Sequence, residues 1–153
     1  RSSDLITERY YSWDTQTMPD GAYYLKIVAS DLPSNPVGQA LVTERVSDRF
    51  EVANTPPRIE NLRADATGEA STIRFDGSSP SRNVGRAQYS LDAGDWQVVF
   101  PVGLLSDAPN ESYQLELSGL SPGEHTVAVQ IADDYGNTTV AKVTFAAGAP
   151  PKK

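Results

Sequence analysis

The sequence predicts an all-β protein in which one complete antiparallel β-sandwich domain is preceded by part of another. Apolar and polar residues alternate with a period of two, as at His125, Val127, Val129 and Ile131. Turn-forming triplets such as Pro19-Asp20-Gly21 separate these runs roughly every ten residues. No stretch has the 3.6-residue period of a helix, and 102–106 has room for one turn at most.

The alternation predicts seven strands in the second part of the chain and three in the first. The seven are 58–64, 71–76, 86–91, 96–100, 113–117, 125–133 and 138–145. The three are 10–14, 22–31 and 41–52. Seven short strands in about 90 residues have the size of an immunoglobulin-type sandwich.

A domain boundary is predicted at Asn54-Thr55-Pro56-Pro57, because paired prolines donate no ladder hydrogen bonds and favour extended linkers. The predicted organisation is a partial module at 1–54, a complete sandwich at 55–147 and a flexible tail at 148–153. The partial module is expected to hold only the last three strands of a sandwich.

The composition excludes some classes of function. The net charge of −7 argues against nucleic acid and against an anionic membrane surface, since both need a dense basic footprint. There is no cysteine, which removes disulfides, thiolate metal sites and cysteine nucleophiles. No apolar run approaches the roughly 20 residues of a membrane span. We therefore expect no cofactor, no nucleic acid partner and no membrane insertion.

An internal repeat is the sharpest feature of the sequence. Residues 11–31 align without a gap with residues 113–133, an offset of 102 positions. In each copy a glycine, Gly21 or Gly123, precedes an inward-facing ring, Tyr23 or His125. We predict that this ring fills the core while its polar tip bonds backbone upstream.

Three stretches resemble known modules. The pattern of Gly119–Val129 is similar to the region around the fifth and sixth strands of a fibronectin type III domain. The run Tyr89 to Trp96 is similar to bacterial immunoglobulin-like modules. Residues 11–31 and 52–57 resemble modules near the C-terminus of large exported bacterial proteins, some of which carry β-propellers; Ala53 stands where such linkers often have Asp. The resemblance implies an extracytoplasmic location: secreted, periplasmic or on the cell surface.

Three strands alone have one apolar face that needs a cover, because small isolated sheets are marginal in water. We predict that 1–54 packs on other domains of the same parent protein or forms a homodimer through this partial module.

Catalysis is not expected, because the only histidine, His125, falls on an inward strand position. Calcium is a candidate ligand for the loops holding Asp31 and Asn35, and Asp133 and Asp134, with Asn54 as a further oxygen donor. The competing interpretation is turn chemistry, in which Asp and Asn bond their own backbone. Tyr10 and Tyr24 are candidate binding residues, expected as an outward cross-strand pair.

Two functions from different classes follow from the sequence. The first is a non-catalytic structural or interaction module of a larger exported bacterial protein. The second is an accessory module that binds a glycan or a protein and serves a catalytic domain elsewhere in the parent.

Overall fold

A computed structural model describes residues 6–80 and 82–148. The chain divides into two compact units, an N-terminal unit of residues 1–54 and a C-terminal unit of residues 55–153. Within the described ranges, no helix is long and apolar enough to cross a membrane.

The C-terminal unit contains two antiparallel sheets. One has the strand order β5-β6-β9, and the other has the order β11-β10-β7-β8. The bounds are β5 Arg58–Thr67, β6 Ala70–Ser78, β7 Val84–Leu91, β8 Gln97–Val99, β9 Asn110–Leu117, β10 Gly123–Asp133 and β11 Thr138–Ala147. All seven predicted strands are confirmed, with bounds that differ from the predicted ones by at most three residues.

The core of this unit lies between its two sheets. From one sheet come Ile73, Phe75, Tyr113 and Leu117, and from the other come Val84, Ala87, Val99, Val127, Val129, Ile131 and Phe145. Phe75 and Tyr113 stack with their ring centroids 4.8 Å apart. A shared core between antiparallel sheets is the definition of a β-sandwich, so this predicted fold class is confirmed.

The N-terminal unit consists of two short strand pairs. The bounds are β1 Gly21–Tyr23, β2 Lys26–Ser30, β3 Val42–Val46 and β4 Phe50–Val52. β1 pairs with β4 and β2 pairs with β3, both antiparallel. A 3-10 turn at Leu32–Ser34 lies in the loop between β2 and β3.

The predicted long strands of this unit are interrupted. The strand predicted at 22–31 breaks at Tyr24-Leu25, and the one predicted at 41–52 breaks at 47–49. At the break, the Leu25 amide donates to Ser47 Oγ over 2.9 Å, and the Ser47 amide donates to the Leu25 carbonyl over 2.8 Å. Three residues face two there, which is the arrangement of a bulge.

The prediction of a strand at 10–14 is wrong, since these residues belong to no strand. The aligned segment of the C-terminal unit is β9, which is held by a continuous ladder to β6. Among the described residues of the N-terminal unit, no strand occupies the place of β6. These residues therefore form no ladder, although their apolar and polar side chains alternate.

Of the predicted tail, only Gly148 lies within the described residues, and its amide donates to the Gly68 carbonyl over 2.6 Å. Residues 149–153 lie outside them.

Candidate interaction surface

His125 lies at a corner of the C-terminal sandwich and is 8% exposed. Its Nε2 lies 2.7 Å from the Ser121 carbonyl oxygen, and its Nδ1 lies 2.6 Å from Asp92 Oδ2. The ring also packs 6.0 Å from the ring of Phe145. The predicted inward ring with an upstream backbone bond is confirmed.

Both acceptors of His125 are oxygens that have no proton to give, so both ring nitrogens carry hydrogen and the imidazolium is favoured. The hydrogen bond to Ser121, followed by the bond to the Asp92 carboxylate, raises the pKa of His125 above its ordinary value. In return, the bond from His125 and then the amide of Thr126 lower the pKa of Asp92. His125 and Asp92 therefore form a charged pair that stabilises the corner, and neither ring nitrogen of His125 is free to contact a substrate.

Asp92 was not found from the sequence, because its role depends on a turn. Asp92 and Ala93 have φ of 50° and 59°, and the Gly94 amide donates to the Leu91 carbonyl over 2.8 Å. Two successive left-handed residues are typical of a type I′ hairpin turn. This turn brings the carboxylate within 2.8 Å of the Thr126 amide.

Tyr23 forms the corresponding corner in the N-terminal unit. Its hydroxyl donates to the Pro19 carbonyl over 2.7 Å, four residues upstream, as His125 does to Ser121. Tyr23 pairs across the sheet with Phe50 at a ring distance of 6.2 Å, which matches the 6.0 Å of His125 and Phe145. The two aligned segments therefore build the same corner.

The calcium candidates Asp31 and Asp133 close the turns that follow β2 and β10. Asp31 Oδ1 accepts from the Leu41 amide at 2.6 Å, and Asp133 Oδ1 accepts from the Asn137 amide at 2.9 Å. Asp133 also accepts from the Tyr135 amide and from Asn137 Nδ2, both at 2.9 Å. In both loops the aspartate therefore hydrogen-bonds the backbone of its own turn, which is the interpretation that competes with calcium binding.

The other calcium candidates are Asn35, Asp134 and Asn54. Asn35 Nδ2 donates to the backbone carbonyl of Asp31 over 3.2 Å, and Asp134 is exposed beside Gly85. Asn54 donates its Nδ2 to the carbonyls of Thr15 and Met18 at 2.7 and 2.9 Å. The described residues hold no group of three or more His, Cys, Asp or Glu side chains placed for a metal ion.

Tyr10 and Tyr24 are exposed, with 79% and 65% of their surface accessible. The expectation of a cross-strand pair is wrong, because Tyr10 lies before the first strand and Tyr24 lies in the break between β1 and β2. Tyr11 and Trp13, which the alternation of the sequence assigns to the core side, are also exposed. Trp13 packs edge-on against Phe50, with centroids 6.1 Å apart.

An apolar face is exposed on β2. We call Ile27 and Ala29 of β2, together with Leu25 in the break just before it, the β2 face. These residues align with Val127, Val129 and Ile131, which are fully buried on β10. Across the ladder, Ile27 faces Arg45 and Ala29 faces Thr43, and side chains opposite each other share a face. These four residues and Glu44 line one shallow depression.

A second apolar surface surrounds β8, the edge strand of the larger sheet. Its exposed large side chains are Trp96, Val98, Phe100, Val102, Leu104 and Leu105. Sequence alternation counted Trp96–Phe100 as an ordinary strand, and nothing in that pattern indicates that it lies at a sheet edge.

No protein-family model and no curated protein matches this sequence. Among solved structures, the chain is similar to the PKD1 domain of Vibrio anguillarum Epp, with 14% sequence identity and a TM-score of 0.48. The similarity covers 63% of this chain and 98% of that domain. The fold class given above rests on the strand order and the shared core.

Proposed function

We propose that this chain is a non-catalytic structural or interaction module of a larger exported bacterial protein. The observation that carries the proposal is the use of its only histidine, which is buried and bonded through both nitrogens at a structural corner. Asp133 is likewise occupied in a turn. In contrast, large apolar side chains are exposed on β2 and around β8, as in contact surfaces.

The strand order supports a fibronectin type III-like arrangement over a constant-type immunoglobulin one. In a constant-type domain, the first two strands belong to the four-stranded sheet. Here β5 and β6 belong to the three-stranded sheet, and β8 extends the other one. With the sequence resemblance, this supports an extracytoplasmic bacterial module.

The experiment for the proposal is an activity screen of the full chain beside its His125→Gln variant. We expect no turnover of glycoside, ester or peptide substrates by either protein. Turnover that the variant abolishes would overturn the proposal, because the histidine would then act on a substrate.

The alternative, an accessory carbohydrate- or protein-binding module, is favoured by the exposure of Tyr10 and Tyr24. Flat aromatic faces stack on sugars and anchor protein contacts. A glycan array separates the two functions. Binding that is lost in Tyr24→Ala and kept in Tyr24→Phe, which preserves the ring, would establish the alternative; absence of binding at about millimolar glycan would favour the structural module.

A further inference from the structure

β8 is an edge strand of the larger sheet and has an exposed apolar side. β7 pairs with one edge of Gln97–Val99, and within the described residues no strand pairs with the other edge. Val99 is buried in the core, and the side chains that alternate with it point outward. We call Trp96, Val98 and Phe100 the β8 edge; 45%, 52% and 67% of their surface is accessible. An edge of this kind is a template for another strand.

The sequence around the β8 edge has no charge. From Trp96 to Ser106 no residue is charged, although 22% of the chain is charged. The other edge of the same sheet differs, since β11 carries an exposed Lys142 two positions from Val140. Charged side chains on an edge strand oppose its pairing with another chain. The β8 edge therefore lacks a protection that β11 has.

The side chains of the β8 edge are complementary to the same side chains in reverse order. An antiparallel contact between two copies of β8, about a two-fold axis at Val98, places Trp96 of each copy opposite Phe100 of the other. Two aromatic pairs and one valine pair then lie on the outer side of the contact, and pairs of these types stabilise adjacent strands. Pro101 has no amide hydrogen and ends this ladder.

The same symmetry separates the charges that flank the β8 edge. Asp95 precedes it, and Arg86 lies on the neighbouring strand β7. About an axis at Val98, the two copies of each charged side chain lie at opposite ends of the ladder, so like charges do not meet. Because each copy has a net charge of −7, contacts through charged parts of its surface would be repulsive. The charge distribution therefore favours a contact between copies at the β8 edge.

The exposed area is sufficient for a weak dimer. Val102 and Leu105 follow the β8 edge and are 68% and 67% accessible. With them, the apolar side chains present on the order of 600 Å² per copy. Twice this area is close to the roughly 1,200 Å² at the lower limit of stable specific interfaces. A lipid surface fits less well, because the backbone groups of an edge strand would lose their hydrogen bonds to water in hydrocarbon.

We propose that two copies of this chain associate through β8, by antiparallel pairing of residues 96–100 about a two-fold axis at Val98. The two four-stranded sheets then join into one continuous sheet. This contact differs from the dimer that the sequence predicts through residues 1–54. The proposal deepens the interaction-module function, because it names a second copy as the partner, and it rests on that function.

The test measures the mass of the full chain by sedimentation equilibrium, from about 1 to about 500 µM protein. We expect a monomer–dimer equilibrium with a Kd of about 10–100 µM, as befits a small interface. Val98→Lys places two cations opposite each other at the axis and should weaken association by about tenfold or more. Val98→Glu should do the same with two anions. An equal mixture of the two variants should associate within about threefold of the parent chain, because lysine then faces glutamate.

Val140→Lys is the matched control. Val140 belongs to the same cross-strand row as Val98, through Gln88 and Gln130, and 55% of its surface is accessible. It lies on β11, the opposite edge of the sheet. We expect this variant to associate within about twofold of the parent chain, because the substitution lies outside the proposed contact.

Three results would overturn the inference. The first is a chain that remains monomeric at about 500 µM. The second is association that Val98→Lys leaves unchanged; loss of association in Ile27→Lys instead would place the contact in the N-terminal unit. The third is failure of the mixed lysine and glutamate variants to associate, since Val98 would then not face itself. None of these bears on the activity screen, so the non-catalytic function would stand or fall separately.

Discussion

Replacing Gly77 with alanine tests the packing between the two sheets of the C-terminal unit. A Cβ at this position would lie 3.2 Å from Ile131 Cδ1 and 3.4 Å from Tyr113 Cε2, against 3.4–4 Å for an ordinary contact. Neither neighbour has room to move, because Ile131 is fully buried and Tyr113 is stacked on Phe75. The added methyl group therefore overpacks the core.

Overpacking of this kind costs about 1–3 kcal/mol. Replacing glycine also lowers the conformational entropy of the unfolded chain, which offsets about 0.4–1 kcal/mol of this loss of stability. We expect Gly77→Ala to lower the free energy of unfolding by about 1 kcal/mol, which moves the urea midpoint by about 0.5 M. Gly103→Ala is the control, since a Cβ there meets nothing within 4 Å, and it should change stability by less than about 0.5 kcal/mol.

The assay is urea unfolding followed by the fluorescence of Trp96, in a background where Trp13 of the other unit is replaced by phenylalanine. A second variant, Ile131→Val, removes the Cδ1 atom that the new methyl group would meet. In that background Gly77→Ala should cost almost nothing, which gives a coupling energy of about 1 kcal/mol. Additive effects of the two substitutions, or a neutral Gly77→Ala alone, would refute the close approach of the sheets.

Three further predictions concern charge, backbone and burial. The raised pKa of folded His125 stabilises the C-terminal unit below its ordinary pKa of 6.5, and this contribution is lost as the pH rises through the folded pKa. The lowered pKa of Asp92 contributes above 3.8 and is lost as the pH falls through the folded pKa. Urea midpoints should therefore fall from pH 6 to pH 8, and His125→Gln should remove that slope, since no other histidine exists. An unchanged slope would contradict the stabilising pair of His125 and Asp92. Leu104→Gly should raise the unfolding free energy by about 0.5–1 kcal/mol, because Leu104 has φ of 69° and its side chain is mostly exposed; a loss would mean that its side chain makes contacts in solution. Val129→Ala should destabilise the C-terminal unit by about 2 kcal/mol, whereas Ile27→Ala should change the stability of the N-terminal unit by less than about 0.5 kcal/mol. The two losses are read from the fluorescence of Trp96 and Trp13. Equal losses would show that the β2 face is covered in the free chain.

Local pattern was sufficient for the strands of the C-terminal unit. In β10 every second residue from His125 to Ile131 is buried, as the alternation indicates. The same argument failed at 10–14, where Tyr11 and Trp13 alternate with Ser12 and Asp14. A strand needs a partner for its backbone groups, and periodicity within one segment carries no information about which partner is present.

The candidate site likewise contains one residue that local pattern predicts and others that it does not. The corner role of His125 could be predicted, because the preceding glycine and the inward phase are both local. Its partner Asp92 lies 33 positions away and is brought close by the pairing of β7 with β10, which no local pattern indicates. The edge position of β8 and the exposure around it likewise depend on sheet order.

Asp31, which follows β2, and Asp133, the last residue of β10, each bind the far end of the loop that comes after the strand. Asp31 binds the amide of Leu41 across a loop of nine residues, and Asp133 binds that of Asn137 across three. In both places one carboxylate fixes the backbone just before the next strand begins, whatever the length and sequence of the loop. A peptide of arbitrary sequence grafted in place of 32–40 would therefore start and finish at fixed anchor points, which makes this loop a display position on the scaffold.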